Sequence, residues 1–205
     1  LFAPISTEVS AVDLEVDGEL PRDLAGAYLR NGPNNHFPPK NRHHWFDGDG
    51  MVHGIWFEDG RARYCNRWIQ TRGLALELEK NGPIWPGVLG PFDFSLPHGP
   101  LKDTANTDLI THAGKVLALW YESGQVHRLD PLTLETLGVE DLGGRLTIPL
   151  SAHSKTDPAT GELIFFSYGD RPPYMQYGVL GADGTLHQTE IDLPGPRRPH
   201  DLGVT

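Results

Sequence analysis

Cysteine is almost missing from this chain: Cys65 stands alone in 205 residues. No intrachain disulfide can form, and no CxxC metal site exists. One cysteine fits a reducing compartment such as the cytoplasm, although secreted proteins can also lack disulfides. Long apolar runs are missing too. Nowhere do about 18 apolar residues follow one another, so no spanning helix is expected, and no segment reads as a signal peptide. Positive charge is in deficit, with 17 Lys and Arg against 27 Asp and Glu and a formal net charge of -10. That balance argues against a nucleic-acid partner, because holding a phosphate backbone needs a basic footprint. It also argues against an electrostatic anchor on anionic lipid. Helix signals are weak, and the best, residues 74–80 (LALELEK), predicts a turn or two.

What the chain does have is turns. Its 24 Gly and 18 Pro make up about a fifth of it. Short β-rich runs alternate with turn signals: 52–57 and 63–69 around Glu58-Asp59-Gly60, then 109–111 and 116–121 around His112-Ala113-Gly114-Lys115. The run 125–129 leads into Asp130-Pro131. Runs 151–155 and 163–168 flank DPATG, and runs 174–180 and 186–193 flank Ala182-Asp183-Gly184. Such turns have a mechanism, since Gly accepts positive φ and Pro fixes φ. Many hairpins with little helix predict an all-β sandwich, barrel or propeller. The hairpins recur at roughly half the ~40–50-residue period of a four-stranded blade, which favours a propeller. The Pro- and Gly-rich stretch 82–100 reads as a long loop, so residues 1–205 are expected to form a single domain.

Ten histidines are present. His36, His43, His44 and His53 flank Phe46-Asp47-Gly48-Asp49-Gly50, where the spacing of a calcium loop fails and a structural turn suffices. His112, His127 and His187 read as satisfied or exposed side chains. His153 and His200 differ in one respect. They lie 200 − 153 = 47 residues apart, about one blade, and each begins a strand-like run. Corresponding strands of adjacent blades would bring both imidazoles to one place on the axis. Imidazole suits iron, zinc, copper and nickel alike.

Seven segments then resemble one family in its own order. They are YLRNGPN (28–34), HHWFDGDGMVHG (43–54), ANT (105–107), HAGKVLALW (112–120), LDPLTLETLG (129–138), SAHSKTDPATGE (151–162) and PHDLGVT (199–205). Together they look like the carotenoid cleavage oxygenases, and the opening 3–21 resembles bacterial members. The resemblance implies part of a seven-bladed β-propeller under a dome of loops and short helices. It implies Fe(2+) on the axis held by four histidines, of which His153 and His200 match the first two. Glu122 matches a carboxylate that accepts the outer N–H of a ligand histidine, His200 by position. In the family that Glu follows the Trp directly, whereas here Tyr121 intervenes. Thr107 matches a residue that limits access to one coordination position. Trp120 and Tyr121 are expected to touch substrate.

The implied reaction is oxidative cleavage of a conjugated C=C bond in an apolar polyene, with O2 as co-substrate and two carbonyl products. A stilbene-cleaving activity is the alternative within the family. Stilbene-cleaving members resemble one another in a Lys after the HAGK strand, where this chain reads Leu119-Trp120-Tyr121-Glu122. The run Tyr174-Met175-Gln176-Tyr177 also resembles the carotenoid branch. A non-catalytic, ligand-binding propeller is the alternative from another class. Trp85, Val88, Leu89, Phe92, Phe94 and Leu96 match a region that often dips into a membrane in the family, so peripheral membrane contact is implied for a cytoplasmic protein. A loop folded onto its own core explains them equally. The chain opens on Leu1 and stops at Thr205 just as an alternating stretch begins. It is therefore expected to be an incomplete N-terminal portion whose remaining two ligands lie in later blades.

Overall fold

The computed structural model describes residues 3–122 and 124–204. Ser123, in the ALWYES stretch, and Thr205, the last residue of PHDLGVT, lie outside them. The regular elements of the described chain are almost all β-strands, with one short α-helix, and the chain forms two compact units. One gathers the residues up to Asn106 together with Pro131–Glu135. The other gathers Thr107–Asp130 and the residues from Thr136 on.

The first unit carries a four-stranded antiparallel sheet of β1 (Ser10–Ala11), β2 (Gly26–Asn34), β3 (Asp49–Glu58) and β4 (Arg61–Trp68), ordered β1-β4-β3-β2. The β3–β4 turn is a two-residue hairpin. Asp59 and Gly60 both take positive φ, 46° and 72°, as the twist of the flanking strands requires. Strand β2 did not read as a strand, because Pro33 and two glycines break its pattern. Its place at the sheet edge is where a missing N–H is tolerated. Helix α1 (Arg72–Lys80) starts two residues earlier than LALELEK suggests, because the Thr71 side chain caps it by accepting the Leu74 N–H at 3.1 Å. Met51, Trp68 and Leu74 form a small core beside it.

FDGDG is structural, as its sequence suggests. Asp47 accepts the His44 and Val88 N–H groups at 2.8 Å each, which closes the 3-10 turn Trp45–Asp47. Asp49 is buried in an ion pair with Lys102, whose ammonium also meets Glu77 at 2.6 Å. A side chain at Gly50 would press on the Thr104 carbonyl at 2.7 Å.

The second unit holds two meanders of four antiparallel strands. The first is β5 (Asp108–His112), β6 (Lys115–Leu119), β7 (His127–Leu129) and β8 (Thr136–Val139). The second is β9 (Lys155–Thr156), β10 (Leu163–Tyr168), β11 (Met175–Leu180) and β12 (Leu186–Glu190). Ala113 and Gly114, at φ 47° and 75°, repeat the tight hairpin turn between β5 and β6. A shared apolar core that includes Leu117, Leu119, Leu150, Leu163 and Phe165 joins the two meanders. Their first strands lie side by side, and the Thr156 hydroxyl donates to the Thr111 carbonyl at 2.7 Å. Strands β5 and β9 begin 155 − 108 = 47 residues apart, the separation of His153 from His200. Strand β12 ends at Glu190, short of the expected 193, and the Pro-rich run after it is coil.

Candidate metal centre

Four pieces of the second unit converge, and each is held by backbone bonds. Trp120 and Tyr121 follow the end of β6, and Trp120 makes a parallel bridge to Ser151. The Ala152 N–H donates to the Trp120 carbonyl at 3.1 Å, and the Ser151 N–H donates to Phe166 on β10 at 2.9 Å. Thr107, just before β5, accepts the Tyr121 N–H on its hydroxyl at 3.2 Å. The Tyr121 carbonyl accepts both the Ser151 hydroxyl, at 3.2 Å, and a close hydrogen bond from the Tyr168 hydroxyl. Main-chain pairing thus fixes where the segment Ser151–Ala152–His153 begins.

His153 follows in the left-handed region, φ 66°, which a non-glycine residue adopts only when its surroundings impose it. Two bonds impose it here. The His153 N–H donates to Asp108 Oδ2, and the His153 carbonyl accepts from Lys155 Nζ, each at 2.9 Å. His200 sits on exposed coil, not at the start of a strand among the described residues. Its ring nevertheless meets that of His153 edge to face, with centroids 4.9 Å apart and planes at 77°.

That geometry can be tested against a metal. With a metal–nitrogen bond of about 2.1 Å, an imidazole centroid lies roughly 3.2 Å from the ion, so two imidazoles at a right angle sit about 4.5 Å apart and at a tetrahedral angle about 5.2 Å apart. The observed 4.9 Å falls between the two. That spacing is compatible with one first-row divalent ion between the two rings, and it is equally the ordinary spacing of edge-to-face ring packing. Among the described residues no third His, Cys, Asp or Glu completes a group able to hold a metal.

The other expected residues occupy less direct positions. Glu122 is half-buried, and its carboxylate takes a close ion pair from Arg198, two residues before His200. Arg198 also reaches Asp170 at 3.5 Å. The Glu122 charge holds the Arg198 pKa up. Burial first, and Glu122 second, push the Tyr168 hydroxyl up. The Tyr121 ring packs against the apolar core and meets Trp120 edge-on at 5.3 Å. Trp120 is buried, and its indole N–H finds no hydrogen-bond partner among the described residues. Lys155, Asp201, Arg198, Asp108, Ser151 and Tyr168 are not marked as site residues by the sequence pattern. The one available signal was the pair of charges, Arg198 and Asp201, bracketing His200.

The family described as "Retinal pigment epithelial membrane protein" matches residues 2–205. A carotenoid cleavage oxygenase of Mycobacterium tuberculosis is 41% identical over 212 residues, covering 100% of this chain and 40% of its own length. The crystal structure of Pseudomonas brassicacearum lignostilbene dioxygenase superposes with a TM-score of 0.87 at 34% identity, over 98% of this chain and 43% of that one. A variant of Synechocystis apocarotenoid oxygenase gives a TM-score of 0.85 at 33% identity, over 100% of this chain and 46% of that one. The chain spans about two fifths of the length of the curated relatives it matches.

Proposed function

The chain belongs to the retinal pigment epithelial membrane protein family, which includes the carotenoid cleavage oxygenases, and from that premise we propose that the full-length protein is an iron(II)-dependent dioxygenase. Its reaction cleaves a conjugated C=C bond of a carotenoid or apocarotenoid, with one oxygen atom of O2 entering each carbonyl product. The observation that carries this reading is the edge-to-face pair of His153 and His200. The three four-stranded sheets support a place in a seven-bladed propeller, with the remaining two histidine ligands outside these 205 residues.

Fe(2+), when bound, supplies the activation of O2 that oxidative cleavage needs. The chain's own residues do the rest. His153 and His200 hold the ion. Glu122 serves His200 at one remove, fixing its coil through Arg198. Thr107, which holds the Tyr121 main chain, limits access to the ion, and Tyr121 and the buried Trp120 back the substrate path from the core side. The apolar core behind them keeps water from that side.

The loop 82–100 divides in two. Trp85 is buried and donates its indole N–H to the Gly99 carbonyl at 3.0 Å, whereas Leu89, Phe92 and Phe94 are exposed. Those three support a peripheral contact with a membrane surface, from which a lipid-like substrate could be drawn. No described helix is long and apolar enough to cross a membrane.

Stilbene cleavage is a second reading, favoured by the likeness to a lignostilbene dioxygenase. The absence of Lys from Leu119-Trp120-Tyr121-Glu122 speaks for the carotenoid branch. Mass analysis of the carbonyl products from carotenoids, apocarotenoids and hydroxystilbenes, run with iron analysis, tests the assignment. Faster turnover of a stilbene than of every apocarotenoid reverses the order of the two readings. A protein that holds no iron and cleaves nothing ends both.

A further inference from the structure

We propose that Lys155 is a positioning residue that clamps the two metal-binding histidines to one another through Asp201. The inference rests on the reading of His153 and His200 as ligands and adds what fixes their separation. Lys155 lies on β9, where it pairs with Ile164 of β10, so its backbone belongs to a sheet. Its ammonium makes two bonds at once, to the His153 carbonyl at 2.9 Å and to Asp201 Oδ1 at 2.6 Å. One bond holds His153, two positions before it, in the left-handed conformation. The other holds the residue that directly follows His200.

The need for such a clamp comes from the backbone. Residues 191–204 form no strand among the described residues. Their backbone anchor at the start is the Ile191 N–H on the Met175 carbonyl at 3.0 Å. From there to His200, side chains must do what a ladder does elsewhere. Arg198 does so at two positions before His200, through Glu122 and Asp170, and Asp201 does so at one position after. Asp201 is itself braced, because the same Oδ1 accepts the Leu202 N–H at 2.8 Å.

A lysine suits the task because its ammonium has three donors and can serve a carbonyl and a carboxylate together. Its charge is matched by Asp201, so the clamp adds no net positive charge beside a cation. The pair is half-exposed, with side-chain exposures of 39% and 52%. Exposed ion pairs contribute little to stability, so its effect belongs to the spacing of the two rings rather than to the fold.

The test uses the full-length protein, stripped and titrated with Co2+, whose visible bands report ligand geometry. Lys155→Met and Asp201→Asn should each weaken Co2+ binding by up to about fivefold, the most an exposed ion pair transmits, and should alter the bands. The thermal midpoint of the metal-free protein should barely move. The double variant should bind no more weakly than either single one, and Lys155→Arg, which keeps both bonds within reach, should restore affinity and bands. Wild-type affinity and bands in Lys155→Met overturn the clamp, as do additive losses in the double variant. His153→Ala separates this from the underlying assignment. If it keeps full Co2+ binding, the histidine reading fails, whereas loss there with intact binding in Lys155→Met removes only the clamp.

Discussion

At the scale of single residues, the site shows what a one-dimensional pattern can carry. The segments SAHSK and RRPHDLG single out His153 and His200, and the fold brings their rings to 4.9 Å. Glu122 is singled out in the same way as a partner for His200, whereas the bond it makes is to Arg198, 76 residues on, which no local spacing announces. Lys155 and Asp201 are 46 residues apart and equally silent. Long-range side-chain pairs depend on how strands stack, and that is not written in any short window. Glu122→Gln keeps the shape of the side chain and removes its charge, so Arg198 loses its stronger anchor and retains Asp170 at 3.5 Å. The fold should survive. Metal affinity should fall by roughly 10-fold or more, since groups that orient ligands typically contribute ~10–100-fold. Metal titration and steady-state turnover of the purified variant check this, and wild-type values in both remove Glu122 from the site.

At the scale of elements, turns decide what is legible. The β3–β4 and β5–β6 hairpins, and the strands around DPATG and Ala182-Asp183-Gly184, stand close to where DG, AG and DP signals put them. These turns demand positive φ or fixed φ, and few residue types supply either. Two edge strands, β2 and β8, are not legible. Strand β2 carries Pro33, and β8 is mostly exposed, with Gly138 at φ 125° inside it. Neither shows the alternation that a half-buried strand imposes. The buried ions were hidden as well. Asp49, Glu77 and Lys102 come from β3, α1 and a loop, and only the fold makes them one cluster. Lys102→Met should leave two buried carboxylates without their cation and cost about 3–5 kcal/mol in a denaturant titration. The pH dependence has a definite sign. Burial, opposed by Lys102, holds the Asp49 pKa above its ordinary value. The folded state therefore binds the Asp49 proton more readily than the unfolded state, and its charge is a penalty that acid relieves. In Lys102→Met that penalty grows, so the deficit should be largest at neutral pH and shrink as pH falls through the raised value. A deficit that widens on acidification contradicts this account.

At the scale of the whole molecule, a metal and a sheet each need more partner groups than the described residues supply. Two imidazoles bind a divalent ion weakly, and the described residues hold no third ligand in reach. Sheets need their edges covered. Strand β12 ends its sheet with an exposed, alternating LHQTE, and β8 and β2 end theirs. Open edges present unpaired N–H and C=O groups to any other strand. Seven blades of about 40–50 residues need well over 205 residues, and the relatives are about two and a half times as long as the part that matches. Residues 1–205 expressed alone should therefore bind iron far more weakly than the full-length protein, cleave no polyene and tend to aggregate through these edges. Light scattering, iron analysis and a product assay on the same preparation measure all three. A monodisperse, iron-loaded and active fragment would mean that the two histidines suffice and that the site does not depend on further blades. Retained solubility with lost iron would instead separate the two requirements, leaving the sheets self-sufficient and the ligand set incomplete.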